Sequence, residues 1–90
     1  MAVEVRIPTI LRTYTGGDKA VSGQGTTLAE LIDDVEGRYP GLKERLVEES
    51  GLRCFVNVYV NDEDVRFTGG LEAPTADGDV VVVLPAVAGG

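Results

Sequence analysis

From Asp79 to Leu84 the chain reads DVVVVL, and no other stretch constrains the fold as tightly. Four β-branched residues in succession favour a pleated strand, where their stiff side chains pack well, over a helix, where they lose rotamers. A continuous apolar run without alternation predicts a strand covered on both faces, or nearly so, and therefore central in a sheet. Pro85 has no N–H for a ladder and ends the strand. Ala86, Val87, Ala88, Gly89 and Gly90 follow. The expected domain therefore spans 1–85, with a small-residue tail at 86–90. Five extended residues reach roughly 17 Å.

The other elements follow from periodicity. Val3, Val5 and Ile7 alternate with Glu4 and Arg6, the period-two pattern of a half-buried strand. Gly16-Gly17 marks a turn, and Lys19 to Ser22 is the expected return strand of an opening hairpin. Thr27-Leu28-Ala29-Glu30 has the form of a capping box, with Glu30 expected to reach back to the Thr27 cap. Leu28, Leu31, Ile32, Val35 and Tyr39 make one apolar stripe at helical spacing. Pro40-Gly41 ends that helix, Leu42 to Glu49 suits a short second helical piece, and 48–51 reads as an exposed loop. Arg53 to Asn61 is expected to be a strand with Val56, Val58 and Val60 on one face and Asn57 and Tyr59 on the other. Asp64 to Phe67 is expected to be a short edge strand. Strand, strand, helix, strand, short strand, strand, with the last beside the first, is the β-grasp order: an α+β fold with a mixed sheet and one crossing helix.

Composition narrows the function. Ninety residues make one domain. Fifteen acids against eight bases leave a net charge of −7 without the clustered cations that phosphate backbones require, so nucleic acid is not an expected partner. No apolar run reaches bilayer length and no leader pattern opens the chain, which suits a soluble cytoplasmic protein. Cys54 is the single cysteine and has no disulfide partner within the chain. With no histidine, a sulfur relay at Cys54 lacks a neighbouring base, and a small apolar strand residue is the simpler reading. Asp62, Glu63 and Asp64 lack the spacing of a calcium loop and read as a solvated turn, so no metal site is expected.

The tail carries what chemistry remains. Gly89 and Gly90 have no Cβ, so such an end can thread a narrow channel and present a carboxylate where a bulkier end would clash. A carboxylate is a poor electrophile until it is activated, commonly by adenylation. The chain has no GxxxxGK[ST] loop to hold ATP, so another protein must perform that step.

Three segments carry a family resemblance: IPTILR (Ile7 to Arg12), FVNVYVNDEDVRF (Phe55 to Phe67) and LPAVAGG (Leu84 to Gly90), the last within DGDVVVVLPAVAGG from Asp77. They resemble the MoaD/ThiS family of ubiquitin-like sulfur carriers, and within it the branch serving cysteine biosynthesis in actinobacteria. The resemblance implies a carrier that is not itself an enzyme. A ubiquitin-activating-type enzyme, using ATP and magnesium, adenylates the terminal glycine. Sulfur then displaces AMP to leave a thiocarboxylate. A PLP-dependent cysteine synthase accepts the sulfur, and a zinc peptidase releases cysteine. Carried onto this sequence, Gly90 bears the sulfur, Gly89 gives it clearance, and Pro85, Ala86, Val87 and Ala88 bind the partner's channel. Tyr59, Phe67 and Leu84, if exposed together away from the helix, would form an apolar docking patch for the adenylating enzyme; ordinary packing is the alternative. Other readings stay open at this point: delivery to thiamine, molybdopterin or a thio-containing secondary metabolite, a permanent small subunit of a synthase, or a ubiquitin-like adaptor with an incidental tail.

Overall fold

A computed structural model describes residues 2–53 and 56–85. Strand β1 (Val3–Arg6) pairs antiparallel with β2 (Ala20–Gly23). Helix α1 (Leu28–Glu36) crosses the sheet, and a second, short helix α2 (Leu42–Leu46) follows. The chain then forms a two-residue-per-strand hairpin, β3 (Val47–Glu48) with β4 (Gly51–Leu52). Strands β5 (Val56–Val60), β6 (Glu63–Asp64) and β7 (Val80–Pro85) complete the main sheet. Its order is β2-β1-β7-β5-β6, with β7 central, parallel to β1 and antiparallel to β5. This is the β-grasp arrangement, and the final strand does lie beside the first.

One layer of helix covers one face of the sheet. Leu28, Leu31, Ile32 and Val35 of α1 and Leu42 and Leu46 of α2 pack against Val5, Val58, Val81 and Val83, all buried. The stripe predicted for α1 therefore faces the core, with Tyr39 at its half-buried rim. Burial of these apolar side chains, each contributing on the order of 1.5–3 kcal/mol, is what holds the short helices to the sheet.

The valine run is buried on one side only. Val81 and Val83 face α1, while Val80 and Val82 are half-buried and Leu84 is exposed on the opposite face. A central position supplies strand neighbours on both edges but not a second layer, so the expectation of two covered faces does not hold.

Other local expectations shift for identifiable reasons. Between β1 and β2 the chain winds through a 3-10 helix, Thr9–Thr15, closed by Gly16 in the left-handed region (φ 66°). The Thr15 hydroxyl, 2% exposed, donates to the Asp18 carbonyl oxygen at 2.9 Å. The Thr27 hydroxyl caps α1 by accepting the Glu30 N–H at 3.2 Å. Glu30, however, reaches one residue further back than expected: its Oε1 accepts the Thr26 N–H and hydroxyl, each at 2.9 Å. The segment before β7 secures the same helix start, with Leu28 N–H bonded to the Ala73 carbonyl and the buried Thr75 hydroxyl donating to Gly25 O at 2.8 Å. A Cβ at Gly25 would stand 2.6 Å from the Leu31 nitrogen, which is why the helix can approach this strand exit so closely.

The expected loop at 48–51 is the β3–β4 hairpin, allowed by Gly51 at φ 124°. Beyond β6 the expected edge strand curls into a 3-10 turn, Val65–Phe67, because Asp64 Oδ1 accepts the Arg66 N–H at 2.9 Å and diverts the backbone. The acidic turn is a tight two-residue hairpin loop: Asn61 and Asp62 both have positive φ, 49° and 72°, as a type I′ turn demands. Asn61 also ties this turn to β7, accepting the Val80 N–H at 3.0 Å and donating to Asp79 Oδ1 at 2.9 Å.

Candidate functional site: the exit of the central strand

The site forms where β7 leaves the sheet. Leu84 lies opposite Asn57, and Pro85 opposite Val56, so the strand is held up to its final residue. Ala86, Val87, Ala88, Gly89 and Gly90 lie outside the described residues, as does Cys54, so their expected roles rest on sequence and family. What the structure supplies is the frame around their root.

Two grooves flank Leu84 and Pro85. The larger, about 590 Å³, is bounded by Pro8, Ile10 and Val82 with Arg12 and Lys19. The smaller, about 310 Å³, is bounded by Ile10, Tyr14, Arg45 and Val56. Ile10 is 66% exposed and Leu84 45% exposed, so a rim of apolar side chains surrounds the exit. The 3-10 helix makes this possible: it buries Leu11 while holding Ile10 outward, next to β7. Arg45 Nε donates to the Tyr14 hydroxyl at 2.7 Å, and its guanidinium carbon sits 5.5 Å from the centre of the Tyr14 ring.

Of the three residues expected to form a docking patch, two share a surface. Tyr59 lies opposite Val82, and Leu84 stands two residues further along β7, so Tyr59, Val82 and Leu84 share the sheet face turned away from α1. Phe67, 88% exposed, belongs instead to the 3-10 turn beyond β6. Beside that turn, Arg66 donates to Asn57 Oδ1 at 2.7 Å and to the Val56 carbonyl at 3.0 Å, bracing the strand that holds Pro85.

The groove residues Pro8, Ile10, Arg12, Lys19 and Arg45 were not singled out from sequence. Ile7 to Arg12 carries a family resemblance, but a resemblance does not place these side chains around the end of β7. The available signal was the run Ile7, Ile10, Leu11 and Tyr14, whose i, i+3, i+4, i+7 spacing is helical.

The shifted carboxyls lie elsewhere. Backbone N–H bonds from Lys43 and Gly41 hold the Glu36 carboxyl below its ordinary range; Thr26 does the same for Glu30, and Gln24, aided by Arg38, for Asp34. Glu30 secures the start of α1, Glu36 the start of α2, and Asp34 ties the β2–α1 connection to α1; none is connected to the exit. Among the described residues no group of three or more His, Cys, Asp or Glu side chains is placed to hold a metal ion, and no helix is long and apolar enough to cross a membrane.

Comparison with known proteins agrees with the geometry. Residues 5–90 match the ThiS family. The sulfur carrier protein CysO of Mycobacterium tuberculosis is 59% identical over 93 residues, spanning 100% of both chains. A chain in the crystal structure of the Amycolatopsis orientalis BexX/CysO complex superposes with a TM-score of 0.94 at 65% identity, covering 99% of this chain and 100% of that one. The crystal structure of M. tuberculosis CysO gives 0.90 at 58% identity, covering 94% and 99%.

Proposed function

This chain belongs to the ThiS family and is, like its relatives, a sulfur carrier and not itself an enzyme; on that premise we propose that its chemistry takes place at the Gly90 carboxylate and serves cysteine biosynthesis. A ubiquitin-activating-type enzyme joins that carboxylate to the α-phosphorus of ATP, with magnesium, and pyrophosphate leaves. Sulfide, or a donor's sulfur, then attacks the acyl carbon. A C–S bond forms, the C–O bond to phosphate breaks, AMP leaves, and the thiocarboxylate remains. A PLP-dependent synthase receives the sulfur on an activated serine, and a zinc peptidase frees the amino acid. The ATP requirement suits the cytoplasm.

The end-to-end likeness to carriers named for this role is the observation that carries the reading. The structure supports it with a central strand anchored through Pro85; five further residues, if extended, would reach roughly 17 Å. Gly89 gives the terminal carboxylate clearance, and Pro85 to Ala88 bind within the partner's channel. The A. orientalis relative occurs in a complex with BexX; by that likeness this chain docks partner proteins, and the reading places Tyr59, Val82 and Leu84 against the adenylating enzyme.

ATP–pyrophosphate exchange tests this. The adenylating enzyme encoded in the same genome is expected to catalyse exchange with the full chain and not with a chain lacking Gly90. Exchange that survives the deletion, or none at all from an enzyme active on another ThiS-family carrier, would favour a docking adaptor.

A further inference from the structure

Half of the chain's cations gather at the exit of β7. Of eight Lys and Arg, Arg6, Arg12 and Lys19 line the larger groove and Arg45 the smaller. No Asp or Glu lines either, in a chain that has fifteen.

Apart from Arg66, which bonds Asn57 and the Val56 carbonyl without an ion pair among the described residues, the cations are also treated differently by position. On the helix side Arg38 is paired with Asp34, Lys43 with Asp33 and Arg53 with Glu48. At the exit only Arg6 has a carboxylate, Glu4 at 2.7 Å. Among the described residues no ion pair involves Arg12, Lys19 or Arg45. Arg12 Nε is spent on the Ile7 carbonyl at 3.1 Å and Arg45 Nε on Tyr14, bonds that position each guanidinium without neutralising it. The molecule is thus an acidic body with a basic collar around its tail root.

Resting on the carrier role above, we infer that the adenylating enzyme receiving this tail carries carboxylates around the mouth of its channel. These pair with Arg12, Lys19 and Arg45 while Pro8, Ile10 and Leu84 pack on the apolar rim. In an extended tail Gly90 would stand roughly 17 Å beyond Pro85, too far for the collar to touch the acyl carbon or AMP. The collar acts on approach. An acidic mouth attracts it and repels the acidic body, which selects the tail-first orientation and raises the association rate in a salt-dependent way.

The test is the initial rate of pyrophosphate release by the adenylating enzyme encoded in the same genome, with carrier concentration and NaCl both varied. Lys19→Glu and the double variant Arg12→Glu/Lys19→Glu are compared with Lys43→Glu, an equal charge reversal outside the collar. Kcat/KM is expected to fall about tenfold or more for the double variant at low salt. The loss should enter through KM and shrink as NaCl rises, with Lys43→Glu far less affected. Lys19 is exposed and its side chain makes no hydrogen bond among the described residues, so Lys19→Glu remains informative should Arg12→Glu disturb the fold. If the unaltered chain is adenylated but the collar variants match it at every salt concentration, or Lys43→Glu loses as much, the collar inference is overturned. If the unaltered chain is not adenylated at all, the carrier role fails and the collar falls with it.

Discussion

Val81→Ala and Val82→Ala, neighbours on one strand, test the one-sided burial of β7. Val81 is 1% exposed among Leu28, Leu31 and Val58, whereas Val82 is half-buried on the outer face between Arg6 and Tyr59. Each substitution removes two methyl groups, about 1.6 kcal/mol of transfer free energy when fully buried. At Val81 the surrounding core relaxes only partly, and a residual cavity of roughly 40 Å³ adds ~1 kcal/mol. The expected loss there is about 2.5 kcal/mol, or 10–20 °C in Tm for a domain of this size. At Val82 no cavity forms and half the transfer term applies, leaving a loss of about 0.8 kcal/mol. Urea unfolding of both variants, with unchanged m-values, measures the difference. Equal losses, or a larger one at Val82, would refute the assignment of faces and with it the placement of Tyr59 and Leu84 on the outer surface.

Gly25→Ala should destabilise by about 2 kcal/mol or more in the same unfolding assay, because the new Cβ meets helix backbone 2.6 Å away rather than a movable side chain; a neutral result would mean that α1 does not sit as described. For pH, Glu30, Asp34 and Glu36 all have folded pKa values lowered from 4.5 for Glu and 3.8 for Asp. Their contribution is therefore complete above those values and lost as pH falls through the lowered ones. Thermal melts should be nearly level from about pH 6 to 8, where no histidine titrates, and decline on acidification below about pH 4.5. Glu36→Gln should flatten that decline, and a melting temperature that rises on acidification would contradict the bonding described for these carboxyls.

The main elements were legible because their signals are local. Val3, Val5 and Ile7 alternate, the α1 stripe recurs at helical spacing, and Thr27 stands where a cap belongs. What escaped the sequence depends on tertiary partners. Nothing in Ala73 to Thr75 announces that this segment fastens the start of α1, since the bond from Thr75 to Gly25 spans fifty positions. Asp64 to Phe67 has strand-like composition, but a side-chain bond to the Arg66 N–H turns it into a 3-10 helix. The valine run showed that β7 is central, yet a run alone cannot tell one covered face from two. The site divides the same way. Gly89 and Gly90 were visible as a motif, whereas Ile10 and Arg12 of the 3-10 helix and Arg45 of α2 come together only when the 3-10 helix lies against the end of β7.

Intact mass after incubation with the adenylating enzyme, ATP, magnesium and sulfide tests the sulfur-carrying terminus most directly. The expected product is heavier by the replacement of one oxygen with one sulfur, the change maps to the C-terminal peptide, and it is absent from the chain lacking Gly90. An unchanged mass with an enzyme that charges another carrier, or sulfur located anywhere other than Gly90, would contradict it.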